Sequence, residues 1–382
     1  MYLYFFIFIL IAIFFGATYG RTNKSVSFLG ASFLILSLFI GFSDMLGGYD
    51  RYIYGEIFDY ISNVTDDKGN YWKEGCFDFF PGENGWTFFN IGLSFITSNR
   101  YIFILIVTLV VYTLLFFSIK NYTENYPLAV VLFLGLWFFF TFTYLRQVLG
   151  TTITWLSIKY IVERKIWLFL LVVFIAFSIH KSAIVFLPLY FIPIKKYDAT
   201  VVVNVMFFLF VLGITPFPNM LFDAYGGIDN VQSKLTTYQL EGGFRIDYVF
   251  EAVFFLYVII QNYDKIPEND KERLVLLNMA LLFCGILLFF TRSQNGGRIS
   301  WYYMIGMIST LCFLVSHQKR YVSGLGSLLV MVSFLLYLRI VLLWGVLLYP
   351  YKTFFTDGYR EGDFIHMHYE YDHNYDDDKF YR

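Results

Sequence analysis

Apolar residues in this chain run in long blocks without a polar face, and short clusters of charge separate the blocks. A helix needs about 20 residues to cross the hydrocarbon of a bilayer. Twelve blocks approach that length, at 2–20, 26–44, 101–119, 127–143, 147–162, 166–179, 182–194, 200–217, 246–261, 274–291, 299–316 and 321–348. The pattern predicts an all-α, polytopic integral membrane protein with about 12 transmembrane helices over residues 1–348, followed by a polar tail over 349–382. The blocks at 166–179 and 182–194 are short, so two crossings and a single broken or re-entrant pair are both open. The first block has no basic segment before it and no small-residue cleavage site after it, which predicts a retained helix rather than a signal peptide. The stretch from Trp86 to Ile96 is apolar but too short to cross, and reads as interfacial or re-entrant.

Charge orients the spans, because Lys and Arg near short loops stay on the cytoplasmic side. One set of alternate loops holds Arg21 and Lys24, Lys120, Arg164 and Lys165, Lys195 and Lys196, Lys265, Lys271 and Arg273, and Lys319 and Arg320. The other set is led by residues 44–83, where nine acids oppose three bases, Arg51, Lys68 and Lys73. The basic loops are therefore expected inside. The long segments 45–99 and 218–245, both termini and the acidic tail are expected outside.

Composition agrees with this picture. Hydrophobic residues make up 58% of the chain and charged residues 15%, against roughly 25% charged in soluble domains. A net charge of -1 supplies no basic field for nucleic acid, which excludes that class of partner. Three cysteines are too few for a disulfide scaffold, and no redox or Cys-ligated zinc chemistry is expected. The 47 Phe and 32 Tyr are read as lipid-facing bulk and given no functional weight. No Gly-rich phosphate loop, nucleophile elbow or zinc-protease motif occurs, and no repeat of the kind common in secondary transporters is visible. His366, His368 and His373 lie among acids in the tail, where a solvated segment is favoured over a metal site.

The polar residues at the predicted outer helix ends are Asp50, Glu83, Arg146, His180, Lys181, Arg292 and Arg298, a hint of one shared external cavity. As a helix, the segment after Gly47 places Asp50 and Tyr54 on an apolar stripe, with Arg51, Gly55, Glu56 and Asp59 on a solvated face. Asp50 is then either a cap or salt-bridge partner or a functional acid. Arg146, followed by Gln147, is costly near hydrocarbon unless it snorkels, pairs or binds an anion. Guanidinium suits phosphate, because its planar fork matches two oxygens. His180 is either structural or an acid-base group, since its ordinary pKa lies near ~6.5. Arg292 and Arg298, with Gln294 and Asn295 between them, form either a plain external turn or a clamp for a diphosphate.

At these residues the chain resembles the EpsG-like family of bacterial exopolysaccharide polymerases, akin to the Wzy-type O-antigen polymerases. The resemblance runs in order through Gly48 to Tyr52, Glu83 to Trp86, Arg146 with Gln147, and His180 with Ser182 and Ala183. It continues through Arg298 before Trp301 to Tyr303, and Tyr349 to Lys352. Asn84 stands where family members usually carry proline. The resemblance implies a glycosyltransferase of the cytoplasmic membrane that works without cofactor or metal, its active site facing outside. It would join undecaprenyl-diphosphate-linked oligosaccharide units, as donor and acceptor, into capsular, exo- or O-antigen polysaccharide. Partners would be membrane lipid, a flippase and a chain-length regulator. His180, Asp50 and Glu83 become candidate catalytic residues, with His180 slightly preferred over Asp50 as base. Arg146, Arg292, Arg298 and Lys181 become candidate diphosphate ligands, with Gln147, Tyr54 and Ser182 in support. The rival expectation is a flippase or transporter of the same lipid-linked sugars.

Overall fold

The structure, a computed structural model, describes residues 2–18, 24–44, 46–48, 50–218, 220, 243–293, 296–317, 324–349, 351–356 and 379–380. Arg21, Lys319, Arg320, Gln294, Asn295, most of the predicted 218–245 loop and the tail histidines lie outside the described residues.

Among the described residues the chain is helical, with one isolated bridge between Ser43 and Thr353. The helices are α1 (Tyr2–Ala17), α2 (Val26–Gly41), α3 (Asp50–Asp66), α4 (Asn84–Ser94), α5 (Arg100–Tyr122) and α6 (Tyr126–Leu136). They continue with α7 (Phe140–Thr143), α8 (Leu145–Trp155), α9 (Ile158–Val162), α10 (Ile166–Ile179), α11 (Pro188–Phe191) and α12 (Ala199–Ile214). The last are α13 (Ile246–Gln261), α14 (Lys271–Phe289), α15 (Met304–Ser316), α16 (Gly324–Leu343) and α17 (Gly345–Leu348). By length and composition four stretches can cross a membrane, namely Arg100–Tyr122, Lys271–Phe289, Gly296–Ser316 and Gly324–Leu343. Shorter apolar helices fill most of the other predicted blocks.

The blocks at 127–143 and 147–162 each break into two helices. At the first break Trp137 leaves helical geometry and its indole packs on Trp155, 5.2 Å between ring centroids. The block at 182–194 becomes a 3-10 turn, Lys181–Phe186, followed by the single turn of α11. Pro188 opens that turn, where its missing N–H costs nothing.

The chain divides into two units. The first comprises Met1–Leu156, Leu171–Ile184 and Gln318–Arg382. At its centre α6 is buried along its whole length, packed by α1, α2 and α16. Gly135 allows the α16 crossing, since a Cβ there would lie 2.6 Å from the Ser333 carbonyl oxygen. Small residues of this kind let helix backbones approach where lipid removes any hydrophobic drive between helices.

On the same unit α3 packs on α4 and α5, and its buried face differs from the expected one. Arg51, read from the pattern as solvated, is fully buried and donates to Ser43 Oγ at 2.6 Å and to the Leu46 and Ile40 carbonyls. Gly55 is buried, while Asp50, Glu56 and Asp59 are half-buried. The reason is that carbonyl and hydroxyl acceptors at the end of α2 satisfy the guanidinium, which the helical period of α3 does not report. Asp44, also buried, accepts from the Tyr101 hydroxyl at 3.0 Å and pairs with Lys379 at 2.9 Å. Lys379 therefore departs from the solvated tail expected around it, because a buried carboxylate requires a counter-charge.

The second unit comprises Ser157–Leu170 and Val185–His317. Here α14 is the central helix, packed by α9, α12, α13, α15 and the 3-10 segment Gly296–Tyr303. The α14–α15 crossing needs Gly306, where a Cβ would lie 2.6 Å from the Leu276 carbonyl oxygen.

Candidate functional site

The sequence Phe80-Pro81-Gly82-Glu83-Asn84-Gly85-Trp86 turns the chain into α4 and sets the first group of polar residues. Gly82 takes a left-handed φ of 79°. The Lys181 side chain lies against it, with Cε 2.8 Å from where a Cβ would stand. Glu83 occupies the cap position of α4, yet its carboxylate makes no bond to its own helix. Instead Oε1 accepts from the Lys181 backbone N–H at 2.9 Å, and Oε2 is paired with Arg146 Nη1. The carboxylate is 9% exposed and the Arg146 side chain 15%, so the pair is largely shielded from water.

Arg146 projects from the first turn of α8, where the guanidinium carbon sits 3.5 Å from the Phe80 ring centroid and 5.5 Å from that of Tyr54. Stacking on aromatic faces replaces part of the hydration a guanidinium loses on burial. Its Nε is buried with no hydrogen-bond partner, and so is the Trp86 indole N–H. Trp86 meets Tyr54 edge to face at 5.8 Å. Burial pushes the Tyr54 phenol above its ordinary pKa of 10.0, opposed by the charge of Arg146 and a hydrogen bond to it, so the phenol stays protonated at neutral pH. Asp50, one turn earlier on α3, also raises it.

His180 ends α10, its N–H still bonded to the Ala176 carbonyl. Its Nδ1 lies 2.6 Å from Ser182 Oγ and receives the Ser182 backbone N–H at 3.3 Å. A backbone donor at Nδ1 assigns that atom as acceptor and places the proton of the neutral ring on Nε2. The first unit thus brings together Glu83, Arg146, Tyr54 and Lys181, with the His180–Ser182 couple on either side of Lys181. Gln147 is buried beside Arg146 in α8. Phe80, which lies against the guanidinium, was not singled out from the sequence. The signal was the aromatic flank of the Gly-Glu-Asn-Gly turn.

Arg292 and Arg298 belong to the second unit. Arg292 is exposed and donates to the Ile214 carbonyl at 3.1 Å, capping the end of α12. Arg298 is half-buried on the 3-10 segment and within electrostatic reach of Tyr248. Tyr248 is also reached by Arg245, Asp247 and Glu251, a polar group that the sequence reading passed over. Arg245 holds Asp247 in a two-pronged ion pair at 3.0 and 2.9 Å and lies over the Tyr248 ring at 4.5 Å. The available signal was Arg-x-Asp-Tyr at the head of a span with Glu251 one turn further on. Among the described residues no group of three His, Cys, Asp or Glu side chains is placed to hold a metal ion.

Chemically, the first group offers a shielded guanidinium on an aromatic wall, a carboxylate that occupies it, and an imidazole coupled to a hydroxyl. That is equipment for holding an anion and moving a proton. No curated protein and no solved structure matches the chain. A family model does match, and its span of residues 26–353 takes in every one of these groups, so the chain belongs to the EpsG family.

Proposed function

We propose that this protein polymerises polysaccharide by transferring a growing glycan from one undecaprenyl diphosphate carrier to the sugar of another, at the outer face of the cytoplasmic membrane. The observation that carries the reading is the Arg146 guanidinium, held on Phe80 and Tyr54 and joined through the Glu83 carboxylate to Lys181, whose chain neighbours are the His180–Ser182 couple. In the reaction a new bond forms between the acceptor hydroxyl oxygen and the donor's anomeric carbon. The bond from that carbon to the diphosphate oxygen breaks, and the diphosphate leaves with the electron pair. Arg146, assisted by Lys181, takes the charge that builds on the leaving group, the role in which a fixed cation lowers a barrier most. The acceptor proton passes to Ser182 Oγ as the Ser182 proton passes to His180 Nδ1, consistent with the 2.6 Å contact and the assigned tautomer.

In the same reading the chain crosses the membrane twelve times, with the loops at Lys120, Lys195 and Lys265 inside and α3 and α4 outside. The alternation of basic and acidic loops supports this sidedness. Arg292 and Arg298, on the second unit, are carried forward from the sequence as proposed ligands for a diphosphate.

The test is a purified reaction. Protein in detergent, supplied with lipid-linked repeat units and no membrane gradient, is expected to yield longer oligosaccharides and free carrier diphosphate. A flippase makes no covalent bond, so a wild-type protein that leaves authentic substrate unchanged would replace this reading by transport of the same lipid.

A further inference from the structure

The second unit contains a cavity of about 520 Å³ between α12 and α14, within the ~300–1,000 Å³ of ordinary ligand sites. Its walls are apolar, including Val202, Val205, Met206 and Leu281, and only Tyr197 and Asn278 bring polar groups to it. Val201 and Val205 line the cavity yet are 49% and 48% exposed, so it opens sideways, on the flank that hydrocarbon covers in a membrane helix. Gly285 supplies the width, since a Cβ there would come within 3.0 Å of Leu209 Cδ1. Towards Phe289 the two helices close, because at Gly213 a Cβ would lie 2.7 Å from the Phe289 carbonyl oxygen.

The opposite end is polar and basic. Asn278 is 4% exposed and its amide nitrogen donates to the Pro193 carbonyl at 3.2 Å, while its Oδ1 is buried without a donor. Lys195 and Lys196 precede Tyr197 at the same end; Lys196 Nζ donates to the Ile266 carbonyl at 3.0 Å and pairs with Glu268 at 3.7 Å, while the exposed Lys195 lies 4.9 Å from the Tyr197 ring centroid. An unsatisfied buried acceptor is costly, so an occupant that supplies a donor gains from it. The three requirements are a hydrocarbon chain that enters from the lipid side, an anion for Lys195 and a hydroxyl for Asn278.

We propose that this cavity is a lipid site for an anionic glycerophospholipid with a hydroxylated headgroup. One acyl chain fills the apolar cavity, the phosphate sits at Lys195, and a headgroup hydroxyl donates to Asn278 Oδ1. A zwitterionic choline lipid offers the chain without the net charge or the donor. The site does not rest on the polymerase reading, since a lipid bound here does not enter the reaction.

The experiment is native mass spectrometry of the intact protein in detergent, titrated with phosphatidylglycerol and, separately, phosphatidylcholine of equal chain length. Phosphatidylglycerol is expected to bind at least about tenfold more tightly, the value of a single good polar contact. Asn278→Leu and Lys195→Gln should each remove that preference. Val205→Trp, on an exposed flank where it does not threaten the fold, should reduce binding of both lipids. Equal binding of the two lipids by wild type, or no loss in Val205→Trp, overturns the proposal. So does displacement of phosphatidylglycerol by undecaprenyl phosphate at matched concentration, which would assign the cavity to the carrier.

Discussion

Replacing Glu83 with Gln changes one charge and almost no volume, and it separates two roles for the carboxylate. Glu83 holds Arg146 with one oxygen on Nη1 and the Lys181 N–H with the other, and under the proposed function it thereby stands where a phosphate would bind. If the carboxylate is a place-holder, an incoming diphosphate must displace it. Two unit charges about 4 Å apart attract by roughly 4 kcal/mol at an effective dielectric constant near 20. Much of that is returned as solvation when the pair separates, so a net of about 1–2 kcal/mol is the expected competition. Glu83→Gln should therefore bind inorganic pyrophosphate about tenfold more tightly than wild type. The amide oxygen can still accept from the Lys181 N–H, which turns the amide NH2 towards Arg146 and removes that charge-assisted bond, so the variant should lose about 2–3 kcal/mol of stability. Glu83→Ala removes the carboxylate from both the guanidinium and the Lys181 N–H and should cost about 3–5 kcal/mol. Isothermal titration with pyrophosphate and denaturant unfolding of the same preparations measure both quantities. Weaker pyrophosphate binding by a folded Glu83→Gln protein would refute the place-holder argument and make Glu83 a support that orients Arg146.

Arg146→Lys should keep the charge but lose the planar fork and the stacking on Phe80, lowering polymer yield on the order of 100-fold, read as chain products from lipid-linked repeat units. His180→Ala should lose at least ~100-fold in turnover with carrier binding retained, while Ser182→Ala should lose turnover by a similar factor if the proton moves through the hydroxyl. A Ser182→Ala enzyme of normal rate would place the acceptor hydroxyl directly on the imidazole. Lys379→Ala strands the buried Asp44 carboxylate beside Tyr101 and should destabilise by about 3 kcal/mol, checked by denaturant unfolding, whereas a solvated tail would give no change. An impermeant thiol reagent on intact cells should label Asp66→Cys and spare Glu268→Cys, both exposed positions, and the reverse pattern would invert the proposed sidedness.

The sequence by itself determined the helical, membrane-borne character of the chain, because runs of about 20 apolar residues have few other ways to satisfy their backbone. It also singled out Arg146, since an arginine beside hydrocarbon demands a partner or an anion. Order along the chain carried the family, which the match over residues 26–353 bears out. The partner itself came only from tertiary structure. Glu83 lies 63 positions before Arg146 and 98 before Lys181, and no local pattern encodes which distant turn will close on a given helix end. Helix breaks were hidden as well, since the apolar run continues through the stop at Trp137, whose indole meets that of Trp155. The face of α3 was misread because hydrophobic period assumes that charge seeks water, whereas Arg51 finds its acceptors at the end of α2. Lys379, embedded in an acidic tail that reads as solvated, is buried for the opposite reason, because Asp44 is already inside and its charge must be met there.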